Sequence, residues 1–150
     1  MSLFRFVAVF CLCLAWVNPT FVPAGEPLIQ SRMDLCRGGD GQYALYRIPG
    51  LVVTAKGTVI VYYEARRTAA TDWGDIDILM RRSTDGGQTF ADPVRIADVP
   101  GPKGKNPVAS QKGLGKDGEV TYNNPVMIAE ADGRLHLLFC LEYFRCFLSH

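Results

Sequence analysis

Between residues 45 and 66, apolar and aromatic side chains crowd two runs, LYRIPGLVVTA and GTVIVYYEAR, which meet at an Ala-Lys-Gly step at residues 55–57. β-Branched and aromatic side chains suit a pleated, half-buried strand, and a glycine-bearing break lets the chain reverse, so this pattern predicts a β-hairpin. The next run, DIDILMRRS at residues 75–83, alternates polar and apolar at its start, with the two-residue period of a strand covered on one face. After an Asp-Gly-Gly turn at residues 85–87 comes a fourth run, QTFADPVRIAD. Four antiparallel strands in chain order make a meander. Residues 99–119, rich in glycine, lysine and proline, predict a surface loop.

Beyond that loop the first pattern returns. IPGLVVTAKGTVIVYY can be laid on NPVMIAEADGRLHLLF, with Pro49 on Pro125 (125 − 49 = 76), Gly57 on Gly133 and Ala55 on Ala131 at the same offset. A repeated unit of proline, strand, turn and strand is the sequence mark of a β-propeller blade, and a sandwich with two similar hairpins is the alternative. A blade cannot bury both faces alone. The expectation is an all-β fold of four-stranded antiparallel blades, about one and a half of them in this chain. On that expectation the 150 residues are the front part of a larger propeller or a truncated reading frame.

Composition narrows the picture only a little. A hydrophobic share of 48% with a formal net charge of +1 is globular, and it supplies no basic excess for a nucleic-acid partner. Residues 1–24 read as a secretory signal, with Arg5 before a short apolar core and Val22-Pro23-Ala24 before the cut. That places the protein outside the cell or in the periplasm, with no membrane association after cleavage, and leaves residues 25–150 as the mature domain. Cys11 and Cys13 go with the signal. Cys36, Cys140 and Cys146 remain, an odd number, so at least one thiol is free or its partner is missing; their spacing fits no zinc pattern, and ordinary cysteines with one disulfide at most are expected. GPKGKN is not a phosphate loop, because Val99 stands where a glycine is required and Asn106 replaces the magnesium-binding hydroxyl.

Six stretches then occur in order: YRIP at residues 46–49, EAR at 64–66, TDWGDIDILMRRS at 71–83, STDGGQTF at 83–90, YNNP at 122–125 and FCLEYFR at 139–145. Together they resemble the N-terminal part of the exo-α-sialidase (neuraminidase) family of the six-bladed β-propeller type, over residues 43–148. STDGGQTF is similar to the family's Asp-box (BNR) repeat, with Phe90 in the tryptophan place. This resemblance implies a structural role for Asp85 at an outer turn, Phe90 tucked between strands, and retaining hydrolysis of terminal sialic acid from glycoconjugates. It implies no metal and no cofactor.

The resemblance also distributes roles. Arg47 takes the place of the first of three arginines that hold the sugar's carboxylate, a task suited to the planar guanidinium fork. Asp72 takes that of the general acid/base, which protonates the leaving oxygen and then deprotonates water. Its acidity is expected to be contested, raised by Trp73 and enclosure and lowered by neighbouring arginines. Arg66 and Asn124 match residues that contact ring substituents, and Glu64 either buttresses Arg66 or reaches the sugar. The family's tyrosine nucleophile, its glutamate partner and two further arginines lie downstream, so Tyr122, Glu142 and Tyr143 come too early for those jobs. Two other readings compete. One is a non-catalytic Asp-box propeller that binds glycan or protein, which would have no need of the acid. The other is a metal-binding module built on Asp72, Asp75 and Asp77, weakened because Asp75 and Asp77 look like polar-face strand residues.

Overall fold

A computed structural model describes residues 29, 31–68 and 71–150; the expected signal at residues 1–24, with Cys11 and Cys13, lies outside the described residues. From Met33 onward the chain forms one compact unit. Its first sheet takes β1 (Leu45–Val53), β2 (Val59–Arg66), β3 (Ile76–Ser83) and β4 (Val94–Arg95) in the order β1-β2-β3-β4, all antiparallel. This is the expected meander, with a last strand of only two residues. The second sheet holds β5 (Tyr122–Ala129), β6 (Leu135–Leu141) and β7 (Arg145–Ser149) in the order β5-β6-β7. The second repeat has three strands, so the chain holds one four-stranded blade and part of a second, as expected.

The long loop before β5 is not wholly irregular. It contains a five-residue helix, α1 (Pro107–Gln111), which glycine and lysine content does not forecast. Asn106 caps it: the side-chain oxygen accepts from the Val108 N–H at 2.9 Å and the Ala109 N–H at 3.3 Å. Pro107 follows in the first turn, where no donor is needed.

The repeat at an offset of 76 is geometric as well as sequential. In the β1–β2 turn, Gly57 donates to the Thr54 carbonyl and Thr54 to that of Thr58, both at 2.9 Å. Gly133 and Glu130 make the equivalent bonds in the β5–β6 turn, at 3.0 and 2.9 Å. The entry strands also break register at matching places, between Arg47 and Gly50 and between Asn123 and Val126. Each break carries a left-handed residue just before its proline, Ile48 with φ 52° and Asn124 with φ 53°. One backbone recipe is used twice.

The main core lies between the sheets and joins Ile60, Tyr62 and Ile78 of the first to Tyr122, Met127, Leu137, Phe139 and Leu141 of the second. A smaller cluster of Tyr63, Ala65 and Leu79 covers the other face of the first sheet, with Cys36, Tyr43 and Tyr46 against it. The far face of the second sheet leaves Val126, Ile128, Leu138 and Leu148 exposed. At residues 83–90, Asp85 accepts from the Ser83 and Thr89 hydroxyls, both at 2.6 Å, and from the Thr89 N–H at 3.0 Å. These bonds, that from Ser83 foremost, hold its carboxyl far below the ordinary aspartate range, as suits a turn-closing residue. Phe90 is half-buried and belongs to neither core cluster.

Contact between the sheets depends on a glycine. Gly50 pairs with Tyr62 across β1 and β2, and the Tyr62 ring lies over it to let its hydroxyl accept from the Met127 N–H at 3.1 Å. A methyl group at residue 50 would meet that ring at 2.2–2.4 Å. Gly50→Ala should therefore lose about 1–3 kcal/mol in urea unfolding, the usual cost of overpacking. In a Tyr62→Leu background the same substitution should cost much less. An equal cost in both backgrounds would show that the ring is not the obstacle.

Candidate active site

At one end of the two sheets, Arg47, Glu64, Arg66, Asp72 and Asn124 form one connected network. Strand register does the first part of the work, because Arg47 on β1 stands opposite Glu64 on β2. Glu64 and Arg66, two residues apart on β2, project from the same face. Both are buried, at 0% and 3% exposure. Glu64 Oε2 accepts from Arg66 Nη2 at 2.6 Å and from Nε at 3.1 Å, while Oε1 accepts from the Asn124 N–H at 2.8 Å. The Asn124 side chain stays exposed.

Arg66 spends its remaining nitrogen on the acid loop. Nη1 donates to Asp72 Oδ1 at 2.6 Å and to the Thr71 carbonyl at 3.3 Å. Arg47 Nη1 reaches the same Oδ1 at 2.8 Å. This outer pair is half open to solvent, with Arg47 48% and Asp72 58% exposed. The hydrogen bond from Arg66 holds the Asp72 carboxyl below its ordinary range; the charges of Arg66 and Arg47 add to that, and what burial there is works against it. In the contest over Asp72 acidity, the arginines win. Burial alone would lower the Arg66 pKa, but its bonds to Asp72 and Glu64 carry it above the usual arginine value.

The three aspartates of the cluster go to different partners. Asp75 accepts from the Val120 N–H at 2.9 Å and lies 3.7 Å from Arg67. Asp77 faces away from Ile76 and Ile78, as a strand predicts, but it is buried rather than on an open polar face. It accepts from the Tyr43 hydroxyl at 2.7 Å and from Arg67 and Arg95 at 3.2 and 3.5 Å. The polar-face expectation fails there because the chain before β1 covers the sheet.

Sequence reasoning missed the groups that hold the acid loop from the second sheet. Gly74, at φ 136°, is clasped by Thr121, whose hydroxyl donates to its carbonyl at 2.7 Å and accepts from its N–H at 3.2 Å. Tyr143 donates to the Asp72 carbonyl at 3.0 Å, and its ring lies 4.8 Å from that of Trp73. Burial, and then the nearby Glu64 and Asp72 charges, raise the Tyr143 pKa. Behind it Glu142 is buried, accepting from Lys105 at 3.2 Å, the Asn106 N–H at 3.3 Å and the Thr121 N–H at 3.0 Å. Among the described residues, the four non-glycine positions with positive φ are Ile48, Asn124, Glu142 and Tyr143. Ile48 adjoins Arg47, Asn124 and Tyr143 touch the network or its loop, and Glu142 accepts from Thr121, which clasps Gly74. Backbone strain of this kind, about 1–3 kcal/mol a residue, concentrates at functional sites.

The network is a surface corner rather than an enclosed pocket. A 500 Å³ cavity lies elsewhere, on the other face of the first sheet among Cys36, Tyr43, Tyr46 and Tyr63, and holds none of the five residues. One of 310 Å³ reaches Arg47 from that side, and one of 270 Å³ lies beyond the acid loop, lined by Thr71, Trp73 and Lys116.

No family model matches the chain. Two proteins named sialidase do: one from Micromonospora viridifaciens, 43% identical over 70 residues, and one from Bacteroides fragilis (strain YCH46), 41% identical over 78 residues. Among solved structures, the Hadza microbial sialidase Hz136 is similar over 69% of this chain with 29% identity and a TM-score of 0.52. The intramolecular trans-sialidase from Ruminococcus gnavus, solved with oseltamivir carboxylate, is similar over 67% with 25% identity and a TM-score of 0.53. Over these segments the chain is similar to sialidases. Its two sheets resemble part of a sialidase propeller domain. The sequence matches span 47% and 51% of this chain but 11% and 14% of the two named relatives, and the structural matches 19% and 22% of the solved chains.

The ordering of influences on Asp72 can be measured. Carbon-detected NMR titration of its carboxyl should show a pKa below the ordinary value. Arg47→Gln should raise it, and Arg66→Gln should raise it further. A larger rise for Arg47→Gln would reverse the assignment of Arg66 as the main cause.

Proposed function

We propose that this chain supplies the acid and the first carboxylate-binding arginine of an exo-α-sialidase that removes terminal sialic acid from glycoconjugates with retention. The observation that carries this is the shared oxygen: Arg47 and Arg66 converge on Asp72 Oδ1 at 2.8 and 2.6 Å. Sialidase names among the relatives support the substrate class. The protein acts after export, with residues 1–24 as the signal.

The two ion pairs differ in strength in a way that suits this role. The Arg47–Asp72 pair is half exposed, and such pairs contribute about 0–1 kcal/mol. A substrate carboxylate can take Arg47 from it at small cost. The Arg66–Glu64 pair is buried, and breaking such a pair costs about 3–5 kcal/mol, so Arg66 keeps its place. Asp72 then loses one of its two cations and gains a neighbouring anion. Both changes raise its pKa toward the protonated form that a leaving oxygen needs. Arg66, Glu64 and the exposed Asn124 side chain line the substrate-facing surface. The nucleophile and two more arginines come from other segments of the enzyme.

The decisive experiment uses the whole gene product that contains this chain. Asp72→Asn should cut kcat on natural sialosides by about 10²–10⁴-fold, the span general acid catalysis supplies, and far less on aryl sialosides with good leaving groups. Full activity on both substrates would end the acid assignment. Undiminished sialoside binding by a wild-type protein without turnover would instead favour a glycan-binding propeller.

A further inference from the structure

Apart from the acid corner, the second sheet holds two nucleophilic side chains in register. Cys140 on β6 and Cys146 on β7 are direct partners across the antiparallel ladder. Both are free thiols, and their Sγ atoms lie 2.9 Å apart. A disulfide bond is about 2.05 Å long, so closure needs a movement of less than about 1 Å. Cys36 is remote from both, packed beside Tyr63 on the first sheet.

We propose that Cys140 and Cys146 are a disulfide-forming site that staples the β6–β7 hairpin. The two thiols have complementary characters. Cys146 is exposed and open to a soluble oxidant, while Cys140 is half-buried, its pKa pushed up to about 11 by burial and then by its neighbour's thiol. With a small-molecule disulfide such as oxidised glutathione, the Cys146 thiolate attacks one glutathione sulfur and releases the other half as a thiol. Cys140 then gives its proton to solvent and attacks Cys146 Sγ, displacing the second glutathione. Two protein thiols and one glutathione disulfide become one protein disulfide and two glutathione thiols, so the two electrons are accounted for.

The location gives the bond a consequence. The hairpin tip between the two cysteines carries Glu142, which anchors Lys105, Asn106 and Thr121, and Tyr143, which holds the Asp72 carbonyl. A staple at its base restrains the acid loop from the second sheet. This inference does not depend on the sialidase reading.

The test titrates the full chain with glutathione redox buffers, in native buffer and in concentrated urea, and reads the disulfide by intact mass and peptide mapping. The folded chain should reach half-oxidation at a glutathione disulfide concentration about tenfold lower than the unfolded one, with the bond mapped to Cys140–Cys146. Cys36→Ser should leave the midpoint unchanged, and Cys140→Ser should halt at a mixed disulfide on Cys146. Hydrogen exchange at residues 142–145 should slow on oxidation. Equal midpoints in buffer and urea, whatever their cause, or a bond to Cys36, would overturn the proposal.

Discussion

Glu64 is a carboxylate with no exposure to water, and much of the molecule's arrangement follows from satisfying it. A desolvated charge must find its compensation in the protein or cost several kcal/mol. Its two oxygens are answered from different directions, one by Arg66 on its own strand and one by the Asn124 N–H on the second sheet. The first bond fixes the guanidinium so that its remaining nitrogen points at Asp72. The second pins the entry of β5 against β2, beside the core contact that Tyr62 makes with Met127. Sheet packing and site geometry therefore share one interaction. Neither can be altered there without disturbing the other.

The repeated bulge shows how a single backbone solution serves two ends. In the second sheet, the left-handed position before the proline is Asn124, a residue type that tolerates it. In the first sheet the same position is Ile48, whose branched side chain fits that region poorly. On either side of it, Arg47 pairs with Asp72 and Gly50 lies beneath the Tyr62 ring. The resulting strain sits next to Arg47.

What the sequence disclosed and what it hid divide along the same line. Strands, turns and the offset of 76 are written in local patterns, and the structure reproduces them down to matched turn hydrogen bonds. The five site residues were legible because they fall in recognisable short motifs, and the fold brings all five together. Their roles were read from resemblance, not from this geometry. Thr121, Glu142 and Tyr143 were not legible as supports of the acid loop, since their partners lie 47, 37 and 71 residues away. The burial of Asp77 was hidden for a similar reason. It depends on Tyr43, far upstream, and strand alternation says which face a residue takes but not what covers that face. The helix at Pro107–Gln111 escaped because glycine-rich context outweighed a good cap.

The charge of the corner completes the argument. Two guanidinium groups, Arg47 and Arg66, meet two carboxylates, Glu64 and Asp72, so the network as it stands is neutral. A neutral corner attracts an anion weakly. An anionic ligand arriving at Arg47 leaves one negative charge in excess, and the network must then take up a cation or a proton. Asp72, half exposed and then short of one arginine, can supply that relief by taking up a proton. Binding of a carboxylate and protonation of Asp72 are thus thermodynamically linked, each favouring the other. Further cations from outside this network would strengthen ligand binding and at the same time oppose protonation. In the proposed site, the readiness of Asp72 to take up a proton is set by the balance between the arginines around it and the charge a bound anion brings.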